Sequence, residues 1–242
     1  MIDPLRAPVA HRGARRPIVP GSGCAHIDAV PRWSVVVPAK RLDAAKTRLR
    51  PLTAALDDGD AVHRELVRAL LADTVSAAAA CAAVDEVLVV TDDPAAAELV
   101  ARLGARTVAD EPGGLNPALE HGARRARATA VAALSSDLPA LRPDELAAAL
   151  LAAGELSRAF VADVHGTGTT LLTAVGTGLR PHFGVASARA HRATGALPLH
   201  GGWPGLVHDV DTPADLRAAL ALGVGRHTSS ALEQMRTADS GR

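Results

Sequence analysis

Four short apolar runs, spaced by segments of helical length, constrain this chain more than any other feature. Trp33-Ser-Val-Val-Val-Pro38, Asp85-Glu-Val-Leu-Val-Val-Thr91, Arg106–Ala109 and Val131-Ala-Ala-Leu134 are each of strand length. Between the first two, Val62, Leu66 and Leu70 recur at helical spacing, and the pattern continues to Cys81. Asp93 can cap a second helix with Pro94 at its first position and Gly104 at its end, and a third starts near Leu115 after Gly113-Gly114. Pro143-Asp144-Glu145 opens a fourth, its acidic residues favourable to the helix dipole, and Gly154 can close it. Strands alternating with helices over short connections predict a mostly parallel sheet in a three-layer α/β/α fold.

After Gly154 the pattern changes. Ala159–Val164 and Thr169–Ala174 are strands joined by Gly166-Thr-Gly168, which predicts an antiparallel excursion rather than another crossover helix. Pro181–Gly205, rich in Gly, Pro, His and Arg, reads as a functional loop region. Leu206–Asp211 reads as a last strand ending in carboxylates, and Thr212-Pro213-Ala214-Asp215 as a capped helix start running to about Leu222. Residues 1–31 lack any hydrophobic period and read as a disordered arm, 32–225 as the single domain, and 226–242 as a flexible tail. Aromatic residues are only 2% of the chain, so the core must be built from Ala, Val and Leu.

Charge narrows the function. The 26 basic and 26 acidic residues cancel, which argues against a nucleic-acid partner or a membrane surface held by bulk charge, so anion binding must come from local groups. Two cysteines without metal-type spacing, Cys24 and Cys81, fit a reducing cytoplasm. Three features would meet at one sheet edge. Lys40, Lys46 and Arg48 follow the first strand and could neutralise a triphosphate; a solvated charged turn is the alternative. Asp137 follows the Val131 strand, which Pro139 stops, and in open α/β sheets ligands bind at the carboxyl ends of strands. With Asp209 it could hold Mg²⁺ against phosphate oxygens; an Asx turn or helix cap is the alternative for Asp137. Asp211 rivals Asp209, although the adjoining Thr212-Pro213 start points to capping. Finally, Gly166-Thr-Gly-Thr169-Thr170 and Phe183-Gly184-Val-Ala-Ser187 offer backbone amides and hydroxyls to an anion, or form a tight turn and a helix cap. The chain has no P-loop, dinucleotide fingerprint or nucleophile elbow.

Several segments, in order, resemble the phosphoenolpyruvate/2-phospho-L-lactate guanylyltransferase family of coenzyme F₄₂₀ biosynthesis. They are Val37-Pro-Ala-Lys40 through Leu49, Ser136-Asp137-Leu-Pro-Ala-Leu141, Phe160 through Thr169, Phe183-Gly184 through Gly195, and Asp209-Val-Asp-Thr-Pro-Ala-Asp-Leu216. The resemblance implies a nucleotidyltransferase fold of the glycosyltransferase-A type and the joining of GMP from GTP to a phosphorylated three-carbon acid, with release of pyrophosphate. It implies Mg²⁺ on Asp137 and Asp209, the acceptor on Thr169, Gly184 and Ser187, the triphosphate facing Lys40, Lys46 and Arg48, and Asn116 near the nucleotide. The Gly-Thr-Gly-Thr and Asp-Val-Asp-Thr-Pro segments point to phosphoenolpyruvate as acceptor, with 2-phospho-L-lactate the alternative and the pathway's next transferase as a partner. A molybdopterin or sugar-phosphate nucleotidyltransferase would carry a glycine-rich loop where Pro38-Ala39-Lys40-Arg41 stands. A catalytically silent nucleotide-binding protein is the rival from another class.

Overall fold

The structure is a computed structural model that describes residues 31–39, 46–56, 58–110 and 113–240. Seven strands form one sheet in the order β3-β2-β1-β4-β6-β5-β7. They are β1 (Trp33–Pro38), β2 (Val84–Thr91), β3 (Arg106–Ala109), β4 (Ala130–Leu134), β5 (Arg158–Ala162), β6 (Thr169–Val175) and β7 (Leu197–Pro198). The first four are mutually parallel; β6 runs antiparallel to both β4 and β5, and β7 pairs parallel with β5. The helices are α1 (Gly59–Ala80), α2 (Pro94–Arg102), α3 (Leu115–Arg124), α4 (Pro143–Ala153), α5 (Ser187–Ala193), α6 (Pro204–Val207), α7 (Pro213–Leu222) and α8 (Arg226–Ser240). The mostly parallel sheet with its antiparallel excursion is the architecture the sequence pattern predicts.

The period of two along each strand divides the core into two apolar layers. Val35 and Val37 of β1, with Ala132 and Leu134 of β4, face Val67, Leu71 and Val75 of α1 and Leu146 and Leu150 of α4. Val36, Val131 and Ala133 point the other way, toward Ala118 and Leu119 of α3 and Ala188 of α5. At Gly122 a Cβ would lie 2.5 Å from Val36 Cγ1 and 2.7 Å from Val90 Cγ2, so only glycine lets α3 lie this close to β1 and β2. Helix starts follow their chemistry. Asp93 accepts hydrogen bonds from the Ala95 and Ala96 amides, and Thr212 with Asp215 forms a reciprocal capping box at the head of α7.

Two expectations fail. The segment after Gly225 is helix α8 and packs on α1. Its first turn is capped from a distance: the Asp73 carboxylate, on a residue 6% exposed, accepts from the amides of His227 (3.0 Å) and Thr228 (2.8 Å). That partner lies about 150 residues away, so no local signal announces it. Leu206–Asp211 is not a strand either. Pro204 starts the short α6, whose Val207 carbonyl accepts from the Val164 amide; the chain then runs irregularly, and its link to the sheet edge is the Val210 amide donating to the Asp137 carbonyl at 3.0 Å. Of the expected arm, residues 1–31, all but Pro31 lie outside the described residues.

Candidate active site

Asp137 lies three residues beyond β4 and is held from both sides. The Leu138 amide donates to Thr74 Oγ1 (2.8 Å), and Thr74 donates in turn to the Leu70 carbonyl of α1 (2.9 Å). The Val210 amide on the Asp137 carbonyl brings Asp209 and Asp211 to the same edge. A small apolar cluster of Leu49, Leu66, Leu70, Ala140, Val210 and Leu216 supports all these segments from below. Above it, Lys46 occupies the left-handed region (φ 53°, ψ 41°), a conformation that costs a non-glycine residue about 1–2 kcal/mol. Its ammonium ion-pairs with Asp137 and, at 2.5 Å, with Asp211. Burial alone would lower the Lys46 pKa; the two carboxylates outweigh it and hold the ammonium above its ordinary value.

The cluster thus contains three carboxylates against one described ammonium. Asp209 carries the consequence. Burial first, then the charges of Asp137 and Asp211, push its pKa up to about 7, with Lys46 opposing only in part. A cation beside these carboxylates would relieve the crowding that raises Asp209. Among the described residues no three acidic or histidine side chains form a ready metal cage. Mg²⁺ takes one or two protein carboxylates and completes its shell with water and substrate phosphates, and the fit of this donor set to it rests on Asp137 and Asp209 alone. Asp137 and Asp209 therefore fit the ion by chemistry. Asp211 proves to belong to the cluster: Thr212 does the capping, and the Asp211 carboxylate turns to Lys46.

Beside the cluster opens a cleft of about 490 Å³, lined by Lys46, Arg48, Ser135, Ser136 and Asp137 on its polar side and by Pro38, Leu115 and Phe183 among its apolar residues. Arg48 is exposed at its rim. Lys40 lies outside the described residues.

A second group adjoins the first. Thr169, the first residue of β6, and Ser187, the first of α5, are both buried, and Ser187 Oγ lies 3.2 Å from Thr169 Oγ1. Ser187 makes no capping bond; Ala186, itself left-handed at φ 55°, is the cap residue of α5. Gly184 is exposed at φ 129°, a region that disfavours side chains, although a Cβ there would meet nothing within 4 Å. The loop presenting it is held residue by residue. Arg158, nearly buried, donates to the carbonyls of Leu179 (3.2 Å) and Arg180 (3.0 Å). Asn116 binds both main-chain groups of Phe183, accepting at 2.7 Å and donating at 3.1 Å. Its carboxamide is thereby engaged with this loop. The structure brings Lys46, Asp137, Asp209 and Asp211 together, places Thr169 and Ser187 in contact, and joins Asn116 to the loop of Gly184.

Sequence reasoning misses His191. Its ring is fully buried between Thr169 and the His182 amide, contacts Phe183 edge-on at 5.2 Å, and has its pKa pushed down to about 4 by burial and then by the charges of His182 and Arg158. Its spacing of four from Ser187, one turn along the same helix face, is the signal that could have found it.

Residues 33–240 match the family described as guanylyl transferase CofC like. The chain belongs to this family. Relatives named phosphoenolpyruvate guanylyltransferase include those of Geodermatophilus obscurus (68% identical, covering 84% of this chain and 95% of the relative) and Salinispora arenicola (55%, covering 81% and 92%). A third, from Mycolicibacterium gilvum, is 49% identical and covers 82% and 94%. Among solved structures, one from Desulfovibrio desulfuricans G20, described as a nucleotide-diphospho-sugar transferase, superposes with a TM-score of 0.60 at 18% identity. It covers 84% of this chain and 97% of that one. A Methanothermobacter nucleotidyl transferase gives 0.52 at 19%, covering 79% and 97%. At such identities they bear on the fold alone, which is that of the nucleotidyltransferases. No helix among the described residues is long and apolar enough to cross a membrane.

Proposed function

We propose that the protein transfers GMP from GTP to phosphoenolpyruvate, giving enolpyruvyl-diphospho-guanosine and pyrophosphate, a step of coenzyme F₄₂₀ biosynthesis. The observation that carries this is the excess of carboxylates around Lys46 at the carboxyl edge of the sheet, beside a cleft large enough for a nucleotide. The relatives' shared name supplies the acceptor.

A phosphate oxygen of the acceptor attacks the α-phosphorus of GTP, a new P–O bond forms, and the bond to the β-phosphate oxygen breaks with its electron pair leaving on pyrophosphate. The nucleophile is already an anion, so no strong general base is required. The difficulty is bringing two anions together, and positioned cations offset that repulsion. Mg²⁺ held by Asp137 and Asp209 would act as a Lewis acid on the phosphate oxygens. Lys46, with Arg48 at the rim, neutralises charge on the triphosphate and the leaving group, and Lys40 is assigned the same role from the sequence. Lys46 reaches its place through the 3₁₀ turn Thr47–Leu52, anchored by buried Leu49. Pro38, Leu115 and Leu119 offer an apolar wall suited to the base. Thr169, Gly184 and Ser187 hold the acceptor through hydroxyls and main-chain groups, without a cation among them. The product is an activated diphosphate that a following transferase would consume, and that enzyme is the natural protein partner.

The test is incubation with Mg²⁺, GTP and either phosphoenolpyruvate or 2-phospho-L-lactate, followed by mass analysis. The expected product is the phosphoenolpyruvate adduct with one pyrophosphate per turnover. Product with phospholactate alone would move the acceptor, and product with neither would overturn the activity.

A further inference from the structure

The buried ring of His191 has a fixed protonation pattern that follows from its neighbours. Its Nε2 lies 2.8 Å from the His182 amide nitrogen, and a backbone N–H can only donate. Nε2 is therefore an acceptor and carries no proton. A ring with a bare Nε2 is neutral and holds its one proton on Nδ1, which lies 2.9 Å from Thr169 Oγ1. Thr169 thus accepts from His191, and the remaining bond at that oxygen joins it to Ser187. The two hydroxyls own two hydrogens and use one between them. Among the described residues no side chain or carbonyl accepts the second.

We propose that His191 is a positioning residue for the acceptor: by occupying Thr169 as a donor and the His182 amide as an acceptor, it leaves one hydroxyl hydrogen of the Thr169–Ser187 pair free for an anionic oxygen of the substrate. The role rests on the assignment of Thr169, Gly184 and Ser187 to the acceptor. One ring thereby couples two parts of the pocket. Its Nδ1 side sets the hydroxyl pair at the head of β6, and its Nε2 side fixes the loop that carries Gly184. Phe160, tilted, and Phe183, edge-on, pack against the ring, which is fully buried. Were Thr169 to spend its hydrogen on the ring instead, the pair would offer the ligand only lone pairs, which repel a carboxylate or phosphate.

Two measurements test this. In the intact protein, ¹⁵N chemical shifts of the His191 ring at neutral pH should show a protonated Nδ1 and a bare Nε2; a protonated Nε2 or an imidazolium overturns the proposal without any variant. In kinetics, His191→Gln places an amide near the Nε2 position and abandons Thr169, whereas His191→Asn keeps a donor near the Nδ1 position. His191→Gln should raise the phosphoenolpyruvate KM by about tenfold with the GTP KM unchanged, and His191→Asn should recover part of that loss. Equal defects for both ligands, or a glutamine variant no worse than the asparagine one, would overturn it. If His191→Gln does not fold, Thr169→Val removes the same hydroxyl at similar volume and must give the same selective defect. Ser187→Ala and Gly184→Val are measured alongside. If these raise the phosphoenolpyruvate KM while His191→Gln does not, the positioning role alone falls; if they weaken GTP instead, the acceptor assignment falls and the role with it.

Discussion

Replacing Asp209 with asparagine should remove activity and yet stabilise the metal-free protein. The structure gives both signs. Asp209 is forced into a site already holding Asp137 and Asp211, and its pKa rises to about 7 from an ordinary 3.8. The folded chain therefore binds this proton more tightly than the unfolded chain. Stability linked to it is complete below the unfolded value and is lost as pH climbs through about 7. At pH 8 the ionised carboxylate costs at most about 4 kcal/mol, at roughly 1.4 kcal/mol per pKa unit. Relaxation of neighbouring charges and partial exposure of the site reduce that to about 2–3 kcal/mol. Asn cannot ionise, so Asp209→Asn in chelator at pH 8 should raise the melting temperature by roughly 5–10 °C for a chain of this size. Near pH 4, where the native residue is protonated, the two proteins should melt together. Turnover with Mg²⁺ should fall about a hundredfold or more, the usual cost of losing a group that stabilises developing charge. A variant that melts lower at pH 8, or whose shift does not depend on pH, would show that Asp209 is not crowded by its neighbours. Retained turnover would remove it from the chemistry.

Lys46→Met should act in the opposite direction. Asp137 is 8% exposed and would lose its counter-charge, whereas the pair with half-exposed Asp211 counts for little, so a loss of about 2–3 kcal/mol is expected in chelator at pH 8 by chemical denaturation. Its GTP KM should rise more than its phosphoenolpyruvate KM in steady-state kinetics. Ending the chain after Gly225 removes α8 from α1 and strands the buried Asp73 carboxylate, which should lower the melting temperature by roughly 5–10 °C; an unchanged melting curve would mean that α8 is dispensable.

Elements whose causes are local were legible in the sequence. β4 covers the apolar run Val131–Leu134, α2 begins where Asp93 precedes Pro94, and α7 begins at the Thr212–Asp215 box. The mostly parallel sheet with its antiparallel excursion followed from the alternation of periods, whereas the strand order is visible only in the fold. What escaped depends on contacts distant in sequence. α8 is started by Asp73, and the Leu206–Asp211 segment is seated by two isolated backbone bonds, Val164 amide to Val207 carbonyl and Val210 amide to Asp137 carbonyl, rather than by a strand ladder. The site shows the same division. Asp137 could be placed because it follows a strand, and Lys46 because it follows another at the same edge. Asp211 looked like a cap because its neighbours Thr212 and Pro213 are cap residues, and only the fold shows its carboxylate facing Lys46. His191 carries no signal beyond its helical spacing from Ser187, since its partners come from β6 and from the loop before α5.

The two halves of the site use opposite chemistry, and the proposed reaction gives a reason for it. Around Asp137 the groups are ionic: three carboxylates, a lysine above its ordinary pKa, an arginine at the rim. Around Thr169 the hydrogen-bonding groups are neutral: two hydroxyls, a histidine held uncharged by burial, and the main chain of a loop whose carbonyls at Leu179 and Arg180 take up donors of the Arg158 cation. A cation at the acceptor would bind it strongly in the ground state, and it would also draw charge from the phosphate oxygen that must attack. Binding energy spent in that way lowers KM without lowering the barrier. Neutral donors grip a carboxylate by geometry and leave the nucleophilic phosphate anionic. Cations placed on the other side act where charge accumulates, on the triphosphate and the departing pyrophosphate. A substitution that sets a cation beside the acceptor pocket without removing its donors, such as Val185→Lys at the fully exposed position next to Gly184, would then tighten phosphoenolpyruvate binding while slowing turnover, which a separation of KM from kcat would reveal.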